Sequence, residues 1–165
     1  MGASGFALLN PGAAWPNKRW PPARFGALAA ALRARTGLPS LVLWGPHEKP
    51  LAEAVVAASE GAAALTPATH IVDIFGVAKA ARIVVSGDTG PLHIACAVGT
   101  PAVALFGPTF AERNGPWDAA DIVVSRTGTC ECLYQRQCRR SAPCIDDITG
   151  DEVLGAVLRR LEAHG

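Results

Sequence analysis

Aromatic side chains are scarce, at 6% of the 165 residues, with four Trp, five Phe, one Tyr and a single Met. A core must then be built from Ala, Val, Leu and Ile. That excludes an aromatic-rich β-sandwich and favours tightly packed α/β layers, joined by the sharp turns that 17 Gly and 13 Pro supply. Charge is scarce too, at 18% with a net of +1, which leaves no electrostatic footprint for nucleic acid or an anionic membrane surface. No basic segment followed by an apolar core opens the sequence, so no signal peptide is expected, and five cysteines point to a reducing, cytoplasmic compartment. The longest uncharged run, Thr89 to Ala111, has the 23 residues needed to span a bilayer. Gly90, Pro91, Gly99, Pro101, Gly107 and Pro108 cut it into strand–turn–helix pieces instead. With half its residues hydrophobic and no linker or repeat, the chain reads as one domain over 1–165.

What remains alternates between two periods. Met1 to Gly5 carry no pattern. Phe6 to Leu9, Leu41 to Trp44, Ala62 to Leu65, Ile83 to Ser86, Ala102 to Phe106 and Asp121 to Ser125 are short apolar runs that end in turn residues, as buried strands do. Between them lie helical patterns. One opens at Pro21-Pro22, continues through Phe25, Leu28, Ala29 and Leu32, and stops at Gly37. Others are marked by Leu51, Val55 and Ala58, by Ile71 to Ala81, and by Pro91 to Ala97. Thr149 and Glu152 form the capping-box pattern of a last helix with an apolar face of Leu154, Val157, Leu158 and Leu161, and Arg159 and Arg160 sit near its C-terminus. Strands alternating with helices define an open, doubly wound, mostly parallel sheet of about five or six strands, Rossmann-like in class.

Ligands of such sheets bind beyond the carboxyl ends of the strands. Four segments fall there. Asn10 to Trp20 is a Gly-bearing loop running to Lys18, a phosphate cradle or a solvated loop, and not a Walker loop because Gly-Lys-Ser/Thr is missing. Trp44 to Glu48 places a carboxylate past a strand, where it accepts from ribose hydroxyls or simply balances a helix dipole. Ser86 to His93 joins a strand, a Gly-flanked turn and a helix N-terminus. Its N–H groups form an anion site, with Thr89 as an added donor; Asp88 either binds sugar hydroxyls or caps the helix. His93, one turn in, is a packing residue or part of the site. Phe106 to Thr109 forms a lip beside it, or a plain turn.

Asp88 to Ala95, Ala97 to Pro101 and Val103 to Thr109 together resemble the signature of the ADP-heptose:lipopolysaccharide heptosyltransferases, glycosyltransferase family nine. Asn10-Pro11-Gly12 with Lys18 and Trp20, the Trp44 to Glu48 stretch, and the segment ending at Cys144-Ile145 extend the resemblance over almost the whole chain. The resemblance implies the C-terminal, donor-binding half of a two-domain GT-B glycosyltransferase. The N-terminal acceptor domain, which carries the catalytic carboxylate, is the missing half. It implies Lys18 on the donor diphosphate and Glu48 on the ribose. It implies Thr89 and Gly90 as further diphosphate donors, Asp88 near the transferred sugar, and His93, Gly107, Pro108 and Thr109 shaping the pocket. It implies a nucleotide diphosphate sugar as substrate, no cofactor or catalytic metal, and a glycan or glycolipid acceptor whose lipid brings the enzyme to the inner membrane. The missing domain, or self-association, would cover the docking face, with Trp15, Trp20 and Trp117 as its exposed candidates. The alternative is a non-catalytic nucleotide- or sugar-binding module, or a fragment acting with a separate partner domain.

Cys130, Cys132, Cys138 and Cys144 are spaced C-x-C-x5-C-x5-C, unlike the C-x2-C pairs of common zinc sites. Free thiols, a zinc site and disulfides all remain readings of this loop. Arg136, Arg139 and Arg140 lie among the thiols and would depress their pKa values. Cys96 reads as a small buried residue.

Overall fold

Alternate residues of each strand pack against opposite layers of helices. The computed structural model describes residues 5–164, so Met1 to Ser4 lie outside the described residues. Six strands, β1 (Ala7–Asn10), β2 (Ser40–Val42), β3 (Ala63–Leu65), β4 (Ile83–Gly87), β5 (Ala102–Phe106) and β6 (Ile122–Ser125), form one fully parallel sheet in the order β3-β2-β1-β4-β5-β6. Ala7, Leu9, Ile83, Val85, Val103 and Leu105 face one side. There they meet α1 (Pro22–Thr36), α2 (Lys49–Ala57) and the last helix, α6 (Gly150–Glu162). Leu8 and Val84 face the other, against α3 (Ile71–Ala80) and α4 (Gly90–Ala97), and Ala102, Ala104 and Phe106 pack there against Leu92. Both faces are covered, which is why the strands read as unbroken apolar runs. A short α5 (Ala111–Asn114), which no sequence signal marked, follows β5.

Two expectations are corrected. Trp20 is not exposed: it is 1% accessible, stacks edge-on against Phe25, and donates Nε1 to the Ile148 carbonyl at 2.9 Å. The buried stripe of α6 is Val153, Ala156, Val157 and Arg160, while Leu154, Leu158 and Leu161 are half-buried. The capping box is present, since Thr149 accepts from the Glu152 N–H and Glu152 from the Thr149 N–H. Arg160 is no dipole charge at a solvated helix end. Its Nε lies 2.8 Å from Asp121 Oδ1, which also accepts the Ala102 N–H, so one buried ion pair ties α6 to the starts of β5 and β6. No helix among the described residues is long and apolar enough to cross a membrane.

Candidate functional site

The chain order reverses between β1 and β4, which are neighbours in the sheet although β2 and β3 intervene in sequence. The crevice beyond their carboxyl ends is the switch point at which such sheets bind ligands. Asn10 closes β1 there. Its Nδ2 donates to Ser86 Oγ and Thr89 Oγ1, each at 2.9 Å, and so ties the two strand ends together. Gly87 closes β4, and a Cβ on it would come within 2.8 Å of the Lys18 carbonyl. Only glycine lets the Pro16–Lys18 turn settle onto the sheet edge and aim Lys18 inward.

A cavity of about 260 Å³ occupies this crevice, walled by Asn10, Gly12, Ala13, Ala14, Trp15, Lys18, Glu48, Asp88, Thr89, Gly90 and Pro91. It opens on the N-terminus of α4. Thr89 is the N-cap residue and makes no side-chain cap bond. Gly90 and Leu92 lie in the first turn, where a helix leaves N–H groups without internal partners and carries partial positive charge. Lys18 adds a full charge, with Nζ 4.5 Å from the centre of the Trp15 ring.

Asp88 does not cap the helix. Its Oδ2 accepts from Lys18 Nζ at 2.6 Å, Thr109 Oγ1 at 2.8 Å and Asn114 Nδ2 at 3.1 Å, and His93 Nε2 lies 3.6 Å from Oδ1. Burial alone would raise this carboxyl. The hydrogen bonds from Lys18, Thr109 and Asn114, with the lysine's charge, outweigh it and hold the group below the ordinary carboxylate value.

Glu48 stands on the opposite wall. Its Oε2 accepts the Gly45 N–H at 3.0 Å, closing the turn after β2. A Cβ on Gly12 would lie 2.3 Å from Oε2 and 2.6 Å from Oε1, so the bare glycine makes room for the carboxylate. His47, next to it, holds a left-handed φ of 67°, a strained conformation for a non-glycine residue. Beyond Glu48 a second cavity of about 260 Å³ opens, lined by Leu43, Trp44, Pro46, Thr69, Ile71 and Ile74 and sharing Asn10, Glu48 and Pro91 with the first. A polar compartment and an apolar one therefore meet at a carboxylate.

Of the residues expected from sequence, Lys18, Glu48, Asp88, Thr89 and Gly90 share one cavity. His93, Gly107, Pro108 and Thr109 are not among its walls. His93 and Thr109 bear on Asp88 from behind, Gly107 packs against Ile145 and Cys144, and the Pro108 carbonyl accepts the Tyr134 N–H. Sequence reasoning missed Asn10 and Asn114 as site residues. Asn10 had a signal in its place at the end of the first strand; Asn114, on a one-turn helix, had none.

All five cysteines are free thiols. Cys130, Cys132 and Cys144 are buried together with Cys138 packed against them, and the Arg139 N–H lies 3.1 Å from Cys132 Sγ. Burial, then the contact with Cys130, pushes the Cys144 thiol up to about 12, opposite to the expected effect of the arginines. Burial likewise pushes Cys96 up to about 11. Among the described residues no three His, Cys, Asp or Glu side chains are grouped to hold a metal ion.

Sheet order and crevice define a Rossmann-like α/β domain with an anion-binding helix terminus at its switch point. Comparison with known proteins narrows the class. The chain belongs to glycosyltransferase family 9 (heptosyltransferase), whose sequence profile matches residues 2–143. Lipopolysaccharide heptosyltransferase 1 of Pseudomonas aeruginosa is 30% identical over 128 residues, 77% of this chain and 36% of that protein. A family 9 glycosyltransferase structure from Veillonella parvula shares the fold with a TM-score of 0.85 at 23% identity, over 99% of this chain and 48% of that one. An Escherichia coli heptosyltransferase solved with ADP does so with a TM-score of 0.77 at 22% identity, over 97% and 45% of the two chains. The chain thus spans between a third and a half of the length of these relatives.

Proposed function

We propose that this chain is the donor-binding half of a family 9 glycosyltransferase. It takes a nucleoside diphosphate sugar of the ADP-heptose type for transfer to a glycan acceptor such as a lipopolysaccharide core. The observation that carries the reading is the pair of compartments joined at Glu48. The polar one offers a lysine and a helix N-terminus to a diphosphate, Glu48 offers its free oxygen to ribose hydroxyls, and the apolar one takes a flat nucleobase. In the transfer, an acceptor hydroxyl attacks the anomeric carbon and the nucleoside diphosphate leaves with the bonding pair. Lys18 and the α4 N–H groups take up the charge that develops on the leaving phosphate, without a metal or other cofactor. No group in the crevice is placed to take the acceptor's proton: Asp88 is committed to Lys18, Thr109 and Asn114. The base then belongs to an N-terminal acceptor domain, consistent with the share of the relatives' length that this chain spans. That domain docks over the crevice, and the assembled enzyme works in the cytoplasm, peripheral to the inner membrane through its acceptor's lipid.

The second reading, a binding module that acts only with a separate partner chain, rests on the same share of length. Calorimetry with adenosine, ADP and an ADP-sugar, followed by an assay with acceptor, tests both. Binding of ADP and ADP-sugar without turnover supports a donor-binding half. Turnover by the chain alone removes the need for a second domain. Absence of ADP binding overturns both readings.

A further inference from the structure

On the far side of the Pro16–Lys18 turn from the donor cavity lies a separate hollow of about 360 Å³. Trp15 and Lys18 face the donor cavity, whereas Pro16 and Asn17 line the hollow, so a single turn of chain is the partition. The other wall is the cysteine segment, including Arg136, Gln137, Arg140 and Ser141.

Its chemistry is that of an anion site with a polar floor. Arg140 is already satisfied, bidentate to Asp147 at 2.8 and 3.0 Å. Arg136 is not: among the described residues it has no acidic partner and no hydrogen bond, only the Trp15 ring, whose centre lies 5.7 Å from its guanidinium carbon. Asn17 is 3% accessible. Its Nδ2 donates to the Gln135 carbonyl at 2.7 Å, but its Oδ1 is buried with no donor. Buried polar atoms are rarely left so, and an orphan at the wall of a cavity marks a place where a hydroxyl is wanted. A free guanidinium, which grips oxyanions in a fork, stands over the same hollow.

We propose that this hollow is a second binding site, for an oxyanion-bearing sugar of the acceptor, with the carboxylate or phosphate on Arg136 and a hydroxyl on Asn17 Oδ1. The assignment to the acceptor rests on the neighbouring cavity's taking the donor. The partition then sets an acceptor sugar one chain turn from the leaving diphosphate.

The test uses the ¹⁵N-labelled chain saturated with ADP and titrated with glucuronate, glucose 6-phosphate and, as the neutral control, glucose. The acids are expected to move the Asn17 side-chain amide and the Arg136 Nε–H resonances, and glucose is expected to leave them still. Whichever acid acts at the lower concentration identifies the anion as carboxylate or phosphate. Arg136→Gln is expected to weaken the response roughly ten-fold or more, as loss of a charge-assisted bond does, and Arg136→Lys, which keeps charge but not the fork, by less. Three results overturn the proposal: neither acid moves these resonances, glucose moves them equally, or the response appears only without ADP, which places the acids in the donor cavity. Failure of ADP to bind sinks the donor reading instead, and is seen in the same samples before any acid is added.

Discussion

Lys18 Nζ lies 2.6 Å from Asp88 Oδ2, with the two side chains only 14% and 6% accessible, so the cation offered to a diphosphate is held by a carboxylate beforehand. Binding a diphosphate then exchanges one partner for another. Lys18→Met is expected to weaken ADP roughly ten-fold, because a charge-assisted bond contributes about 1.5–3 kcal/mol and the forfeited Asp88 pair offsets part of it. Adenosine, which lacks the phosphates, should bind unchanged. Calorimetry giving equal losses for both ligands would place Lys18 outside the phosphate site.

Asp88→Asn separates phosphate from sugar. The amide no longer repels a diphosphate and no longer holds Lys18 by charge, so ADP affinity should be unchanged or improved. An intact ADP-sugar should bind more weakly if Asp88 accepts from sugar hydroxyls. The folded-state pKa of Asp88 lies below its ordinary 3.8. The pair's contribution to stability is therefore complete above that value and is lost as pH falls through the lower, folded one. The Tm values of wild type and Asp88→Asn should accordingly converge as the pH drops below 3.8. A gap that stays constant through that range would mean that the ion pair contributes nothing.

The sheet was legible because every strand but β3 is a dense apolar run and every turn carries Gly or Pro. The same reading placed five cavity residues correctly, since position at a strand's carboxyl end follows from element order alone. Partnerships were not legible. Lys18 and Asp88 lie 70 positions apart, and each was read as facing a ligand when they face each other. Trp20 looked like a loop aromatic because its burial depends on a carbonyl 128 positions away, in a segment with no periodicity of its own. Arg160 fitted a helix-dipole rule, and only the tertiary neighbour Asp121 overrides it.

That buried pair predicts the largest stability effect of any single charged residue. Arg160→Ala leaves Asp121 2% accessible and without its cation, and removing one partner of a buried pair costs about 3–5 kcal/mol. Arg160→Met paired with Asp121→Asn should recover part of the loss, because the amide can still accept the Ala102 N–H. Urea denaturation of the three variants measures both. A single-variant loss within 1 kcal/mol, about what an exposed pair contributes, would show Asp121 to be solvated.

Six of the seven large apolar side chains that stand exposed lie on segments leaving the carboxyl ends of strands: Ile71, Val72 and Phe75 after β3, Phe110 and Trp117 after β5, and Tyr134 after β6. Val72 and Ile71 are each 70% accessible and Trp117 is 89%. They ring the side of the sheet on which the crevice opens, where an acceptor domain would dock, and inter-domain contacts bury roughly 600–1,500 Å². Left uncovered, such a rim favours association between copies of the chain. Sedimentation of the isolated chain should show reversible self-association that grows with concentration. Val72→Ser with Phe75→Ser and Trp117→Ser should shift it to monomer, since none of the three residues lines either nucleotide compartment. A wild-type chain that stays monomeric at millimolar concentration would argue that the rim is no docking face. It would then favour the self-sufficient binding module over the half of a larger transferase.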